Sequence, residues 1–388
     1  MKFVKRHFFS SLRRRCTLLP IHWMIKSLNV FARFRRNIRL DTDSIQTILV
    51  VETLHMGDLL MTLASLPELH TLFPKAAIQM IVAQQWEPLV HRSENVSVWR
   101  TFPNKSVSSI FALVRHLQTA SFDLVIVPTP GSLNAFLGLA ASSRCRIGFF
   151  SAYSDAAPWL DSHKIFSYGI ASAREAIVPP ESTRYSYFQT ILRLLGSSHP
   201  KVEKRLSNEK RAANPPIIGI HGHAKQPYRS LPLPTLLSLL SALRNEFQER
   251  IQYFCHKDDT AIQAAMAAAK LEGIEIITTG SVEETLNHIA ACSIFVGVDS
   301  GPLHLAESLG IAVIGIFGPT RAENHMTSNV RYSQQIPVDC NRELRRYCAN
   351  YECPLKVSCM QRLDVAHVAK NTRVLLDLIK QGLGDHRR

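Results

Sequence analysis

The amino-acid sequence predicts an α/β protein of two doubly wound domains, each built on a parallel sheet, facing each other across a cleft. Three observations predict it. Short apolar runs alternate with segments of helical period, which is the pattern of βαβ units covered on both faces. This alternation occurs twice, once up to residue 149 and again from residue 217. A polar stretch, 197–216, with Pro200 and the Pro215-Pro216 pair, separates the two series.

In the first series, TILVV at Thr47–Val51 reads as a strand. Asp58–Phe73 reads as helical, with Pro67 forcing a kink or a restart because its ring clashes with the preceding turn. Ile78–Val82 is a strand, Val107–Thr119 a helix, and Leu124–Val127 and Arg146–Phe149 are strands. The pattern fades over 151–185, and Tyr185–Leu195 is helical, ending at Gly196. The second series places strands at Ile217–His221, Ile251–Cys255, Ile274–Thr278, Ile294–Val298 and Ala312–Phe317. Helices fall between them at Leu233–Phe247, Thr260–Leu271, Val282–Ala291 and Leu303–Leu309. The expected organisation is an extension over 1–40, a first domain over 41–200, a linker over 201–216, a second domain over 217–360 and a helical tail over 361–388.

At 388 residues and 46% hydrophobic, the chain is long and apolar enough for two cores. No apolar run reaches the 18 or so residues of an ordinary transmembrane helix. The net charge of +14 is unevenly spread: residues 1–40 hold eleven Lys/Arg and no acid, leaving +3 for the rest. A nearly neutral body offers no basic groove, so nucleic acid is not an expected partner. The extension interleaves those bases with Phe3, Phe8, Phe9, Leu18, Trp23 and Phe34. It lacks the clean apolar stretch and small-residue cleavage site of a secretory signal. An interfacial helix pair on an anionic membrane fits it, and a solvated basic arm is the plainer alternative. Of eight cysteines, Cys340, Cys348, Cys353 and Cys359 cluster with gaps of seven, four and five residues. These spacings lack the tight pairs of zinc knuckles, so structural thiols are expected there and no metal.

Ligands of doubly wound sheets bind outside the carboxyl ends of the strands. After the first strand comes Glu52-Thr53-Leu54-His55-Met56-Gly57-Asp58. Gly57 allows a sharp turn, and Asp58 then lies near a helix start as either a cap or a catalytic carboxylate. No G-x-G-x-x-G occurs anywhere, which argues against a dinucleotide-dependent oxidoreductase. In the second half, VGVDSGPLHLAESLGIAVIGIFGPT spans Val296–Thr320. Asp299-Ser300-Gly301-Pro302 turns from a strand into a helix holding His304, and free N–H groups at such a helix start suit a phosphate. Gly318-Pro319-Thr320 makes a second turn at the same sheet edge.

Gly57-Asp58 followed by LLMTL and Phe73-Pro74, the DSGPLH and FGPT segments, and Cys353-Pro354-Leu355 with Cys359-Met360 together resemble glycosyltransferase family 9, the ADP-heptose:lipopolysaccharide heptosyltransferases. The resemblance spans about residues 46–375. It implies a GT-B fold, with an N-terminal acceptor domain and a C-terminal nucleotide-sugar domain. It implies inverting transfer of heptose from an ADP-sugar donor, without metal or cofactor, to a lipid-linked lipopolysaccharide core. It makes Asp58 the general base and Gly57 part of the acceptor loop. It assigns donor contacts to Asp299, Ser300, Gly301, His304 and Thr320. The family's basic phosphate contact falls on Lys225 or Arg229, where Arg229-Ser230-Leu231-Pro232 departs from the family's K-x-W-P, and its ribose carboxylate falls on Asp258 or Asp259. A lipid-linked acceptor implies a cytoplasmic enzyme lying peripherally on the inner face of the inner membrane through residues 1–40. The alternatives are a related transferase using another nucleotide sugar for outer-core or surface polysaccharide, or a non-enzymatic nucleotide or glycolipid-binding protein on the same fold.

Overall fold

A computed structural model describes residues 44–102, 107–129, 132–150, 168–171, 184–202, 206, 215–256, 258–269, 271–322, 325–326, 332–336 and 359–382. The extension over 1–40 and the cysteines Cys340, Cys348 and Cys353 lie outside these residues. The chain divides into two compact units, Met1–Val202 and Glu203–Arg388.

The first unit holds β1 (Thr47–Val51), α1 (Met56–Leu63), α2 (Leu66–Leu72), β2 (Ala77–Ala83), α3 (Glu87–Val90), β3 (Ser97–Phe102), α4 (Val107–Thr119), β4 (Ser121–Val127), α5 (Ser132–Ala140), β5 (Ser142–Phe150), β6 (Tyr168–Ala171) and α6 (Arg184–Leu194). The second holds β7 (Ile217–His221), α7 (Leu233–Glu246), β8 (Arg250–His256), α8 (Thr260–Ala268), β9 (Ile274–Thr279), α9 (Val282–Ala290), β10 (Ile294–Val298), α10 (Gly301–Ser308), β11 (Ala312–Phe317), β12 (Tyr332–Gln335) and α11 (Val365–Lys380).

Both sheets are parallel. Their orders are β3-β2-β1-β4-β5-β6 and β12-β11-β10-β7-β8-β9. Numbered within each unit these are one topology, 3-2-1-4-5-6, with the order reversing between the first and fourth strands. The two doubly wound parallel sheets of the predicted GT-B class are thus present. Continuous apolar runs are the cause. Val298 and the other four residues of β10 are all buried, as a central strand covered on both faces requires. By contrast, the edge strand β9 alternates towards solvent, with Ile276 exposed.

Local signals set the helix ends. Ser281 and Glu284 form a reciprocal capping box at the start of α9. Gly310, at φ +69°, ends α10 in a conformation that favours glycine. The 58–73 segment takes the restart expected at Pro67: it is two helices, broken at Ala64 and Ser65. Pro67 sits in the first turn of α2, where its missing N–H costs nothing. The strands β3, β6 and β12 and the helix α5 were not among the sequence-predicted elements. The closing helix α11 packs against α7, β10 and β11, burying Val368, Leu375 and Leu376 in the second core.

Gly219 in β7 pairs in register with Phe295 of β10. A Cβ at that position would lie 2.7 Å from the Phe295 ring and 2.8 Å from Cys292 Sγ, both in packed surroundings. Gly219→Ala should therefore lower stability by about 1–3 kcal/mol through overpacking. Thermal unfolding of the variant checks this, and an unchanged midpoint would contradict the packing.

Candidate active site

In the first unit, the ends of β1 and β4 flank the point where strand order reverses. The chain leaving β1 is tied down at every residue of the turn. Glu52 donates its N–H to the Ile81 carbonyl at 3.0 Å. Thr53 donates its N–H and its hydroxyl to Asn134 Oδ1, at 3.1 and 2.6 Å. Leu54 donates its N–H to Glu52 Oε1 at 3.0 Å, and its carbonyl accepts the Trp86 indole N–H at 3.1 Å. The side chain of Glu52 is fully buried. Its carboxyl also meets Asn134 Nδ2 at 3.3 Å, Thr62 Oγ1 at 3.4 Å and the Thr129 hydroxyl.

This turn delivers Asp58. The cap position of α1 belongs to His55, so Asp58 is the third helical residue rather than the cap. It is buried, with 6% exposure, at the positive end of the helix dipole. Burial, and then the neighbouring charge of Asp58, push the Glu52 carboxyl up to about 7. The two acids therefore stand close enough for the charge of Asp58 to act on Glu52.

In the second unit, the equivalent reversal lies between β7 and β10. Here Asp299 is buried at 2% exposure and shared by two partners. Arg229 Nη1 donates to its Oδ2 at 2.8 Å, and His304 Nε2 lies 3.1 Å from its Oδ1. Burial opposes the charge, but His304, His325 and Arg229 outweigh it and hold the carboxyl well below the usual range. Glu307 stands 3.8 Å from the other nitrogen of His304. Ser300 occupies the cap position of α10 without capping it; its hydroxyl instead meets His221 Nδ1 at 3.1 Å. Burial, then His223, push His221 down to about 3, so its ring is neutral at physiological pH. Gly301 opens the helix, whose first N–H groups have no partner within it.

The other expected donor contacts are spread more widely. Arg229 sits in a short 3-10 turn, Pro227–Arg229, with its Nη2 on Gln226 Oε1 and its buried Nε without a partner. Lys225 is exposed on the same loop. Asp259 precedes α8 and accepts from the His256 N–H at 3.1 Å; its charge also reaches His223, whose Nδ1 is 2.7 Å from Tyr253 Oη. Asp258 points to solvent and, among the described residues, its side chain meets His256, at 3.3 Å. The Thr320 hydroxyl is buried and unpartnered. Gly57 lies in the first turn of α1.

The family model for glycosyltransferase family 9 (heptosyltransferase) matches residues 110–357, more than half of the chain. The chain belongs to glycosyltransferase family 9. It is 21% identical over 281 residues to lipopolysaccharide heptosyltransferase 3 of Escherichia coli, covering 68% of this chain and 81% of that relative. Among solved structures, it superposes on the family 9 glycosyltransferase of Veillonella parvula DSM 2008 with a TM-score of 0.66 and 14% identity, over 87% of this chain and 98% of that one. It superposes on E. coli heptosyltransferase WaaC with ADP with a TM-score of 0.63 and 16% identity, over 85% and 99%. The protein is therefore a glycosyltransferase, and the non-enzymatic alternative falls away.

The matched range contains the whole Asp299 cluster and begins after Glu52 and Asp58. Sequence reasoning quoted Glu52 and His221 without assigning them a role, and it overlooked Thr129, Asn134 and His325. A glutamate directly after the apolar run Ile48–Val51 was the available signal for Glu52. Asn134 had none, since its helix was not recognised. Asp299, His304 and His325 place potential ligand atoms within 4.8 Å of one another, an arrangement able to take a metal ion. Yet both oxygens of Asp299 are already engaged, one of them by a guanidinium that would repel a dication.

Arg229→Ala would leave Asp299 a buried carboxylate with its cation removed. A loss of about 3 kcal/mol is expected. The sign with pH follows from the depressed carboxyl: its stabilisation is present above its ordinary value of 3.8 and disappears as pH falls through its lower folded value. The gap between variant and parent melting temperatures should be wide at neutral pH and close on strong acidification. A gap independent of pH would show that the ion pair does not hold the loop.

Proposed function

We propose that the protein transfers a heptose with inversion from ADP-heptose to a lipopolysaccharide-core acceptor, Asp58 serving as general base. The observation that carries this reading is the Asp299–Arg229–His304 cluster at the strand reversal of the second unit, inside the range matched by a heptosyltransferase family. Similarity to lipopolysaccharide heptosyltransferase 3 and to WaaC with ADP supports the choice of donor and acceptor.

The chemistry follows from charge. In an inverting displacement the acceptor oxygen attacks the anomeric carbon as it loses its proton, which Asp58 accepts. The sugar–phosphate bond breaks, and its electron pair leaves on the diphosphate. That charge needs fixed partners. Arg229, clamped by Asp299, presents a guanidinium whose fork matches phosphate oxygens. Ser300, Gly301 and the first turn of α10 add N–H groups and a dipole, while Lys225 adds a second cation. With these cations in place the reaction runs without metal. The Thr320 hydroxyl is a further donor, and Asp259 takes the ribose in preference to the solvent-facing Asp258.

Asp58→Asn keeps size and polarity while removing the base. Transfer from ADP-heptose to a heptose-acceptor core lipid should fall at least a hundredfold with folding intact. Transfer near the parent rate would rule Asp58 out as the base. EDTA should leave the parent rate unchanged.

ADP at one hundred times its dissociation constant should stabilise the protein by about 2.7 kcal/mol, read as a raised melting temperature. The shift should shrink in Arg229→Ala. UDP giving the larger shift would redirect the donor assignment.

No helix among the described residues is long and apolar enough to cross a membrane. We assign membrane contact to the eleven bases and interleaved aromatics of residues 1–40, at roughly 1 kcal/mol per base near an anionic surface. This contact would hold the enzyme peripherally on the inner face of the inner membrane. A chain lacking residues 1–40 should fail to float with anionic liposomes at low salt. Equal flotation of both forms would place the contact elsewhere.

A further inference from the structure

Glu52 takes no part in the transfer just described, yet its buried carboxyl is gripped from several directions. Leu54 N–H and Asn134 Nδ2 address Oε1; the Thr129 hydroxyl and Thr62 Oγ1 address Oε2. Thr62 carries the decisive detail. Its hydroxyl is 3.0 Å from the Asp58 carbonyl one turn earlier and 3.4 Å from Glu52 Oε2. A hydroxyl has a single proton. Spent on the Asp58 carbonyl, it leaves Thr62 Oγ1 as an acceptor facing Glu52. A proton on Glu52 Oε2 then has two hydroxyl oxygens within reach that can accept it, Thr129 Oγ1 and, more distantly, Thr62 Oγ1 at 3.4 Å.

We propose that Glu52 is a positioning residue for Asp58: it carries a proton in the resting enzyme, pins the 52–55 turn that delivers α1, and leaves Asp58 the single negative charge of the pair. This inference rests on Asp58 being the base. During transfer the acceptor proton passes to Asp58 and the Glu52 proton stays in place. The role differs from capping or packing because it depends on charge as well as shape. A second buried anion on this turn would repel the first, and the neutral form avoids that cost.

The charged group acting on Glu52 is Asp58 of α1. The ends of β1 and β4 and the helix α5 face it with Thr53, Thr129 and Asn134, none of which titrates, and His55 is the next titratable residue along the turn. Burial, with Asp58, places the Glu52 ionisation at about 7 against an ordinary 4.5. A raised carboxyl favours the folded state below its unfolded value, and that contribution is lost as pH rises through the folded one. The cost of Glu52 therefore grows between about pH 4.5 and 7.

The test uses the full-length chain and three measurements. Infrared spectra of the parent should show a protonated-carboxyl C=O band that disappears with a midpoint near pH 7 and is absent from Glu52→Gln. In Asp58→Asn, the same band should disappear at lower pH, because the neighbouring charge is gone. Glu52→Gln copies the protonated shape. It should melt close to the parent at pH 5 and above it at pH 8, and its kcat/KM for heptose transfer should lose the inflection near pH 7 while staying within about threefold of the parent at pH 6. A band absent from the parent at pH 6, or one whose midpoint is unmoved in Asp58→Asn, would overturn the proposal. So would a kcat/KM inflection near pH 7 that persists in Glu52→Gln. If Asp58→Asn instead retains full transfer, the base assignment fails on its own, while the band still reports whether the two acids are coupled.

Discussion

Everything functional in this chain depends on the reversal of strand order in each parallel sheet. At β1 and β4, and again at β7 and β10, successive crossovers leave towards opposite faces. The strand ends between them carry no covering helix. Backbone groups there still need partners, and side chains from the following turns supply them. In the first unit Asn134 and Glu52 accept the backbone N–H groups of Thr53 and Leu54; in the second, side chains of these turns pair with one another, His221 with Ser300 and Arg229 with Asp299. Polar chemistry is concentrated at these edges because elsewhere the central strands are apolar on both sides.

The two units solve the burial of a carboxylate in opposite ways. Asp299 keeps its charge because Arg229 and two histidines neutralise it, and the clamped guanidinium is thereby aimed. Among the described residues Glu52 has no cation within its cluster; burial and Asp58 push its carboxyl upwards, and hydroxyls and an amide surround it. The first arrangement fits the diphosphate site proposed above, and the second fits the base proposed at Asp58.

Low identity to solved relatives, 14–16%, accompanies superposition over most of each chain. The packing rules explain this. A doubly wound sheet asks for apolar, β-branched strands and helices with one apolar stripe, and many sequences meet those demands. The turns after the strands are under tighter physical control, because a given ligand needs particular groups at particular distances.

Much of this was legible in the chain. TILVV, IFVGV and AVIGIF are buried central strands by composition alone, and the polar 197–216 stretch separates the two series. Asp299, Ser300 and His304 could be singled out as candidates because they follow a strand closely and the helix start that holds them is local. Three of the four edge strands were not legible: β3 and β12 are half-exposed or polar and β6 has only four residues, so their apolar signal is weak, and pairing rather than periodicity makes them strands. Nor was α5, whose Ser132–Ala140 segment contains Gly138 and follows no clear cap. What the sequence alone determined is therefore the repeated βα order and the residues standing directly after strands, since both are matters of adjacent positions. Only the tertiary structure decided the company those residues keep. Glu52 reaches Asn134 across 82 positions, and Arg229 reaches Asp299 across 70, because the strands they follow are neighbours in a sheet whose order is not the order of the chain.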